Sequence, residues 1–255
     1  MNDSDLEEVR SWAREAGAIA RQYFNNVVGQ RKADRSWVTE ADLRIERMLV
    51  ERISARYPQH GIIGEELTHH EIGREFLWAL DPLDGTGAFV AGLPLWGVSL
   101  GLLRQGLPYL GVIYLPLLND CYWCDIAGAA FLNEHPISVI EPREWESEDW
   151  IAVPSNIHRR FAIEFAGKVR SLGCIAASLC YVARGNAVGA LISRAAIWDI
   201  AAGMAILSAA GGGAIGLSGQ ALDTTTMLGG GGLPEPILIG APTHVQALRA
   251  VIQLR

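Results

Sequence analysis

The chain has 255 residues, half of them hydrophobic and 19% charged, enough to bury a large core in one domain or in two coupled halves. A formal net charge of −7 and a pI near 5.4 argue against a nucleic-acid scaffold or a binder of anionic membranes. The acidic start "MNDSDLEEVRSW" carries no apolar leader and no run of about 18 apolar residues occurs, so the expectation is a soluble, cytoplasmic protein with neither nucleic-acid nor membrane partners.

Ser4 and Glu7 stand at capping-box spacing, and Leu6, Val9, Trp12, Ala16, Ile19 and Ala20 recur at helical period, which predicts a helix of about twenty residues. "VVGQRKADRSWVTEAD" then reads as a loop. Thr39, Asp42 three positions on, and the stripe Ile45, Met48, Leu49 and Ile53 predict a second helix that Pro58 stops. "GIIGEE" is a short strand ending in Glu65 and Glu66. His69 and His70 lack the spacing of a helical metal motif and read as solvated loop. "FLWALDP" is a strand closed by its proline, and "LWGVSLGLL" and "PYLGVIYLP" flank "RQGL" as a hairpin. "CYWCDI" and "GAAFLN" form another strand pair. The four cysteines, Cys121, Cys124, Cys174 and Cys180, read as buried free thiols, because i and i+3 in a strand face opposite ways and "CYWC" has no second pair.

Around residues 141–150 the composition turns acidic and polar, which places a hinge between residues 1–145, an α+β half with an antiparallel sheet, and residues 146–255, an α/β half. In the second half "WIAVPS" reads as strand, "HRRFAIEFAGKV" as helix, "RSLG" as strand, "IAASLCYVARG" as helix and "NAVGALI" as strand. Asp199 opens the helix "IAAGMAILSAAGG", and Thr243 or His244 begins a terminal helix after the strand "PILIGAP". That alternation suggests a second α/β sheet. "GGGAIG" and "LGGGGLP" lack the strand-before, helix-after context of a dinucleotide site and read as helix stop and loop.

Carboxylates collect at the ends of these elements: Glu65 and Glu66 after a strand, Asp81 and Asp84 at a strand-to-turn junction, Asp199 at a helix start. Singly they read as a solvated strand end, an ordinary turn and an N-cap. Gathered together they repel one another and call for cations. An all-oxygen donor set selects hard ions, Mg²⁺ or Mn²⁺. A surplus of acids suggests more than one ion clamping a phosphoryl group. Gly85 and Thr86 complete the pattern, since a glycine turn leading into a helix can cradle phosphate oxygens and a hydroxyl can orient a water.

"GEE" (64–66), "WALDPLDGT" (78–86) and "WDIAAG" (198–203) resemble the inositol monophosphatase family of magnesium-dependent, lithium-sensitive phosphatases. "VTEADLRIERML" and "VRSLGCIAASLCYVARG" resemble family segments in the same order. The resemblance implies a layered α-β-α-β-α sandwich of the sugar-phosphatase type, usually dimeric, acting on a small-molecule phosphomonoester. It implies that Glu65, Asp81, the carbonyl of Leu83, Asp84 and Asp199 hold two Mg²⁺ ions, Asp81 bridging, with a third, weaker ion near Glu65. It gives Gly85 and Thr86 the phosphate, and gives Thr86, supported by Asp42 and Thr39, a part with Glu65 in activating water.

The tail of the central motif departs from the inositol-cleaving pattern Thr-x-Asn-Phe-x-His: after Thr86 it runs Gly87, Ala88, Phe89, Val90, Ala91, Gly92, which looks more like members that act on histidinol phosphate. The resemblance puts Ile175, Ile192 and Arg194 at the substrate pocket. Inositol enzymes carry a glutamate where this chain has Ile192, and isoleucine accepts no hydroxyl hydrogen bond. Arg194 suits an anionic leaving group or simply the surface, and Lys32 and Arg35 either approach phosphate or are solvated. The expectation is therefore a phosphatase leaning to histidinol phosphate. The alternatives are an inositol monophosphatase, a relative of bisphosphate nucleotidases or fructose bisphosphatases, and an inactive sensor of a phosphorylated ligand.

Overall fold

The computed structural model describes residues 3–67, 69–70, 73–141, 143–229 and 231–255. Helix α1 (Asp3–Tyr23) leads through a small hairpin, β1 (Gln30–Arg31) and β2 (Trp37–Val38), into α2 (Glu40–Arg56). Then come β3 (Gly61–Gly64), β4 (His69–His70), β5 (Phe76–Asp84), the short helix α3 (Thr86–Val90), β6 (Gly97–Arg104), β7 (Leu107–Leu115), β8 (Asp120–Cys124), β9 (Ala130–Leu132) and β10 (His135–Ile137). The remainder comprises β11 (Trp150–Ala152), β12 (Phe161–Ile163), β13 (Lys168–Arg170), α4 (Ile175–Ala183), β14 (Gly189–Ile192), α5 (Ile197–Ala209), β15 (Gly213–Gly216), β16 (Ile237–Gly240), α6 (Pro242–Val251) and β17 (Ile252–Leu254).

Two large sheets and three helical layers result, beside the two-stranded pairs β1-β2 and β12-β17. The first sheet runs β10-β9-β8-β7-β6-β5-β3-β4 and the second β13-β11-β14-β16-β15. Period-two alternation along β5 sends Trp78 and Leu80 into the core beneath α1 and α2, and Leu77 and Ala79 into the core shared with α4 and α5. Helices α4 and α5 are apolar nearly all round because they are covered on both sides, by the first sheet and by the second. Helix α6 closes the far face of the second sheet over Val188, Leu191 and Leu238. The order is helix, sheet, helix, sheet, helix, the layered α-β-α-β-α sandwich expected from the sequence.

Several local expectations change. Ser4 does not cap α1, which already begins at Asp3. The loop before α2 contains the β1–β2 hairpin. Residues 69–70 form an edge strand against β3 instead of a loop. The first sheet is antiparallel except for β3 beside β5, which run parallel. Pro82 does not end β5: a register shift against β6 between Asp81 and Asp84 lets the imino acid, which has no N–H, pass outside the ladder.

In the second half "HRRFAIEFAGKV" is not a helix. A 3-10 turn at Ile157–Arg159 and then β12 take its place, because Phe161 to Ile163 find partners in the C-terminal strand β17, a pairing no local window contains. The strand expected at "RSLG" lies earlier, at Lys168–Arg170. The second sheet is mixed, with β14 and β15 antiparallel to β16. "GGGAIG" ends α5 and then supplies β15. Asp199 sits in the first turn of α5 rather than opening it, and α6 starts at Pro242. All four cysteines are free and buried, as expected.

Candidate active site

Three strand or helix ends meet where the layers open. Glu65 follows β3, whose parallel ladder continues one step further through Glu65 N–H donating to Leu80 O at 3.1 Å. Asp81 and Asp84 flank the bulge of β5, and Asp199 lies in the first turn of α5. Oxygens of Glu65, Asp81 and Asp199 all lie within 4.8 Å of one another. At that spacing each pair of full charges costs roughly 3–4 kcal/mol at an effective dielectric near 20. Three such pairs approach the whole stability of a domain, about 5–15 kcal/mol, so the trio must be either partly protonated or neutralised by a cation.

Burial, reinforced by Glu65, Asp84 and Asp199, pushes the Asp81 carboxyl well above its ordinary range, and burial with Asp84 as neighbour does the same to Asp199. Burial raises Asp84 to about 6, although the Cys174 thiol and the Ala176 amide, 2.8 and 2.5 Å from its Oδ2, favour the charged form. The donor set is all oxygen and holds no histidine, and Asp81, 1% exposed, has no cation bonded to it among the described residues. A buried hard donor without a bonded cation, beside a Glu65 that shares one lysine with Glu66, fits a hard divalent ion.

Each carboxylate is held from behind. Asp81 Oδ1 accepts from Leu83 N–H at 3.0 Å, and Asp199 Oδ2 accepts from Ala196 N–H at 2.7 Å. Lys32 Nζ donates to Glu65 Oε1 at 2.8 Å and to Glu66 Oε1 at 2.6 Å, which answers whether Lys32 is solvated. Burial works against the Lys32 ammonium, but those two bonds outweigh it and hold the lysine charged. Burial raises Glu66 to about 7.

Behind Asp84 the chain turns. Gly85 has φ +86, which strains any side chain, and an added Cβ would crowd Cys174 Cβ at 3.1 Å and Gly173 O at 3.2 Å. Thr86, 8% exposed, donates to Leu83 O at 2.9 Å, and its hydroxyl lies 3.3 Å from Asp42 Oδ1. Asp42 is itself fixed by the Thr39 capping box, Oδ2 accepting from Thr39 N–H at 2.8 Å and Thr39 Oγ1 at 2.5 Å. Burial raises Asp42 to about 6.

Two clefts open from this centre. One, of about 380 Å³, is lined by Asp34, Glu65, Arg194, Trp198 and Asp199. The other, of about 120 Å³, is lined by Ser155, Ser171, Cys174, Ile175, Ile192 and Arg194 among others. Ile175, Ile192 and Arg194 therefore share one cleft, and Arg194 borders both, exposed and without an ion pair among the described residues. Arg35 stays exposed, with φ +72 in the β1–β2 turn.

Two residues escaped the sequence reading. Cys174 caps α4 and donates to Asp84; its signal was its place between Gly173 and an apolar helix. Glu46 is fully buried, four residues after Asp42 on the same face of α2; an acid inside an apolar stripe was the signal.

The model of the Inositol monophosphatase family matches residues 2–240. The histidinol-phosphatase of Chlorobaculum parvum is 34% identical over 219 residues, 82% of this chain and 84% of that one. Inositol monophosphatase 3 of Solanum lycopersicum is 33% identical, with 84% and 86% covered. Among solved structures, the IMPase of Thermotoga maritima superposes with a TM-score of 0.85 at 26% identity, over 97% of this chain and 96% of that one. A layered fold with a carboxylate centre of this descent defines a metal-dependent phosphoric monoester hydrolase. The chain belongs to the inositol monophosphatase family.

Proposed function

We propose that the protein is a Mg²⁺-dependent phosphomonoesterase of small phosphorylated metabolites, with histidinol phosphate first among candidate substrates. The observation that carries the reading is the approach of Glu65, Asp81 and Asp199 within 4.8 Å beside Asp84 and the Gly85 turn. Glu65, Asp81, the Leu83 carbonyl, Asp84 and Asp199 are the residues that would hold two Mg²⁺ ions, with a third near Glu65 and Mn²⁺ as a substitute. When bound, such ions supply Lewis-acid activation of water and neutralise charge on the phosphoryl group.

The chain's own part follows from its hydrogen bonds. Thr86 commits its one proton to Leu83 O or Asp42, so its lone pairs are left to accept from a water and fix where that water stands. Asp42, at about 6 and held by Thr39, is poised to take up a proton passed through Thr86 near neutral pH. Amides of Gly85 and Thr86 would meet the phosphate. Ser155, Ser171, Ile175 and Ile192 would face the leaving group.

Histidinol phosphate leads because of the 34% identical histidinol-phosphatase, the tail "GAFVAG" and the absence of a carboxylate at 192. One observation favours a second reading: Arg194, unpaired among the described residues at both clefts, suits a leaving group bearing a negative charge, as in a bisphosphate. The test is phosphate release from a panel of histidinol phosphate, inositol 1-phosphate and sugar bisphosphates, with and without Mg²⁺. Mg²⁺-dependent release is expected, histidinol phosphate fastest. A folded protein that binds Mg²⁺ but releases phosphate from nothing in the panel would instead be a sensor. Oligomeric state belongs to the same proposal, a homodimer being the family expectation, checked by light scattering.

A further inference from the structure

We propose that Glu46 is a positioning residue for the metal centre, a buried carboxylate that fixes the turn carrying Glu65. Glu46 lies on the core face of α2 with no accessible surface. No cation pairs with it among the described residues. Instead its two oxygens take the two backbone amides that follow Glu65: Oε2 accepts from Glu66 N–H and Oε1 from Leu67 N–H, both at 2.8 Å. A carboxylate accepting paired backbone amides in a buried setting makes stronger hydrogen bonds than neutral partners do, and none of its acceptor capacity faces water.

The residue before Glu65 is shaped around the same carboxyl. A Cβ on Gly64 would fall 2.3 Å from Glu46 Oε1 and 2.6 Å from its Cδ, so only glycine admits this approach. On its near side Glu65 is tied to β5 through Leu80 O, and on its far side residues 66 and 67 are tied to α2 through Glu46. The Glu65 side chain thus leaves a backbone clamped at both ends and pointed at Asp81 and Asp199. Asp42 and Glu46, one helical turn apart, make α2 a common brace: Asp42 sets the Thr86 hydroxyl and Glu46 sets Glu65. Lys32 contacts the side chains of Glu65 and Glu66 and not their backbone, so it cannot replace this function.

The inference rests on the metal-dependent reading, and its test separates the two. In Glu46→Gln one oxygen becomes an NH₂ that meets an N–H head on. Outer partners that hold metal ligands typically contribute about 10- to 100-fold to affinity. Mg²⁺ binding to Glu46→Gln, measured by calorimetry and by the Mg²⁺-induced rise in melting temperature, is expected to weaken roughly tenfold or more. The maximal rate at saturating Mg²⁺ should fall far less than the rate at limiting Mg²⁺. Glu51→Gln, at an exposed acid on the same helix, should bind as the parent protein does. If Glu46→Gln does not fold, Glu46→Asp, which keeps both oxygens but withdraws them by one methylene, is expected to show the same loss. Parental Mg²⁺ affinity in a folded Gln or Asp variant, with only the melting temperature lowered, overturns the proposal. A parent protein that binds no Mg²⁺ overturns the metal reading itself.

Discussion

The two sides of the active centre are built on opposite plans. On the proposed metal side every carboxylate has an oxygen already engaged: Asp81 by Leu83 N–H, Asp84 by Cys174 and Ala176, Asp199 by Ala196 N–H, Glu65 by Lys32. Those partners are mostly backbone amides at strand and helix ends, which do not move without the fold. On the proposed leaving-group side the wall is serine hydroxyls, the side chains of Ile175 and Ile192, and an exposed Arg194 without an ion-pair partner among the described residues. If the proposed roles hold, the reaction machinery is over-determined, whereas selectivity is left to a few replaceable side chains. Substitutions on the first side should therefore act on rate and metal binding, and substitutions on the second on substrate ratios.

The largest effect is expected at Asp84. Asp84→Asn keeps the shape but removes a charge, and it should lower Mg²⁺-dependent phosphate release by at least about 10²- to 10³-fold, the scale of losing one charge-stabilising group. Because the parent carboxylate is buried beside other acids, the metal-free melting temperature should hold or rise in the same variant. Activity retained in Asp84→Asn, measured against the parent at saturating Mg²⁺, would remove Asp84 from the metal site.

A smaller effect, on stability, comes from proton linkage on the same side. Asp42 and Asp84 titrate near 6 in the fold, and Asp81 and Asp199 are pushed well above their ordinary value. For carboxyls whose folded pKa is raised, the stability they contribute is complete below the unfolded value and is lost as pH rises through the folded one. Surface carboxylates are already ionised above pH 5, so they do not mask the trend. His60, lowered by burial, opposes it as a single group. The melting temperature without metal should fall between about pH 5 and pH 8. Saturating Mg²⁺, which binds the ionised form, should flatten or reverse that slope. A metal-free melting temperature that climbs with pH over this window would contradict the burial of an uncompensated acid cluster.

What the sequence made legible follows the same division. The elements that place the carboxylates are marked locally: the Thr39 and Asp42 capping box, the apolar run into Asp81, and the glycine after Asp84 all work within a few residues. Their convergence was legible only through the family motifs, since no local rule brings residue 65 to residue 199. What escaped depends on distant partners. The segment from 157 to 168 reads equally well as helix until β17 arrives to pair with it. The role of Glu46 has no local mark of that kind, because the amides it serves lie about twenty residues away. The β1–β2 turn hid the role of Lys32 in the same way.

The smallest expected effect lies in the proposed leaving-group cleft, and it is one of ratio. Ile192 ends β14 with 3% of its surface exposed, and it lines the same cleft as Arg194 two residues on. A glutamate at 192 would meet that cleft beside a guanidinium with no ion pair among the described residues, so its charge has a neighbour to offset burial. It would also present a charged acceptor for substrate hydroxyls, a bond worth about 1–3 kcal/mol. Ile192→Glu is therefore expected to raise the kcat/KM ratio of inositol 1-phosphate to histidinol phosphate by about tenfold, with Mg²⁺ affinity unchanged. A ratio that stays put while Mg²⁺ affinity drops would mean that residue 192 acts on the metal side after all, and the division between the two sides would fail.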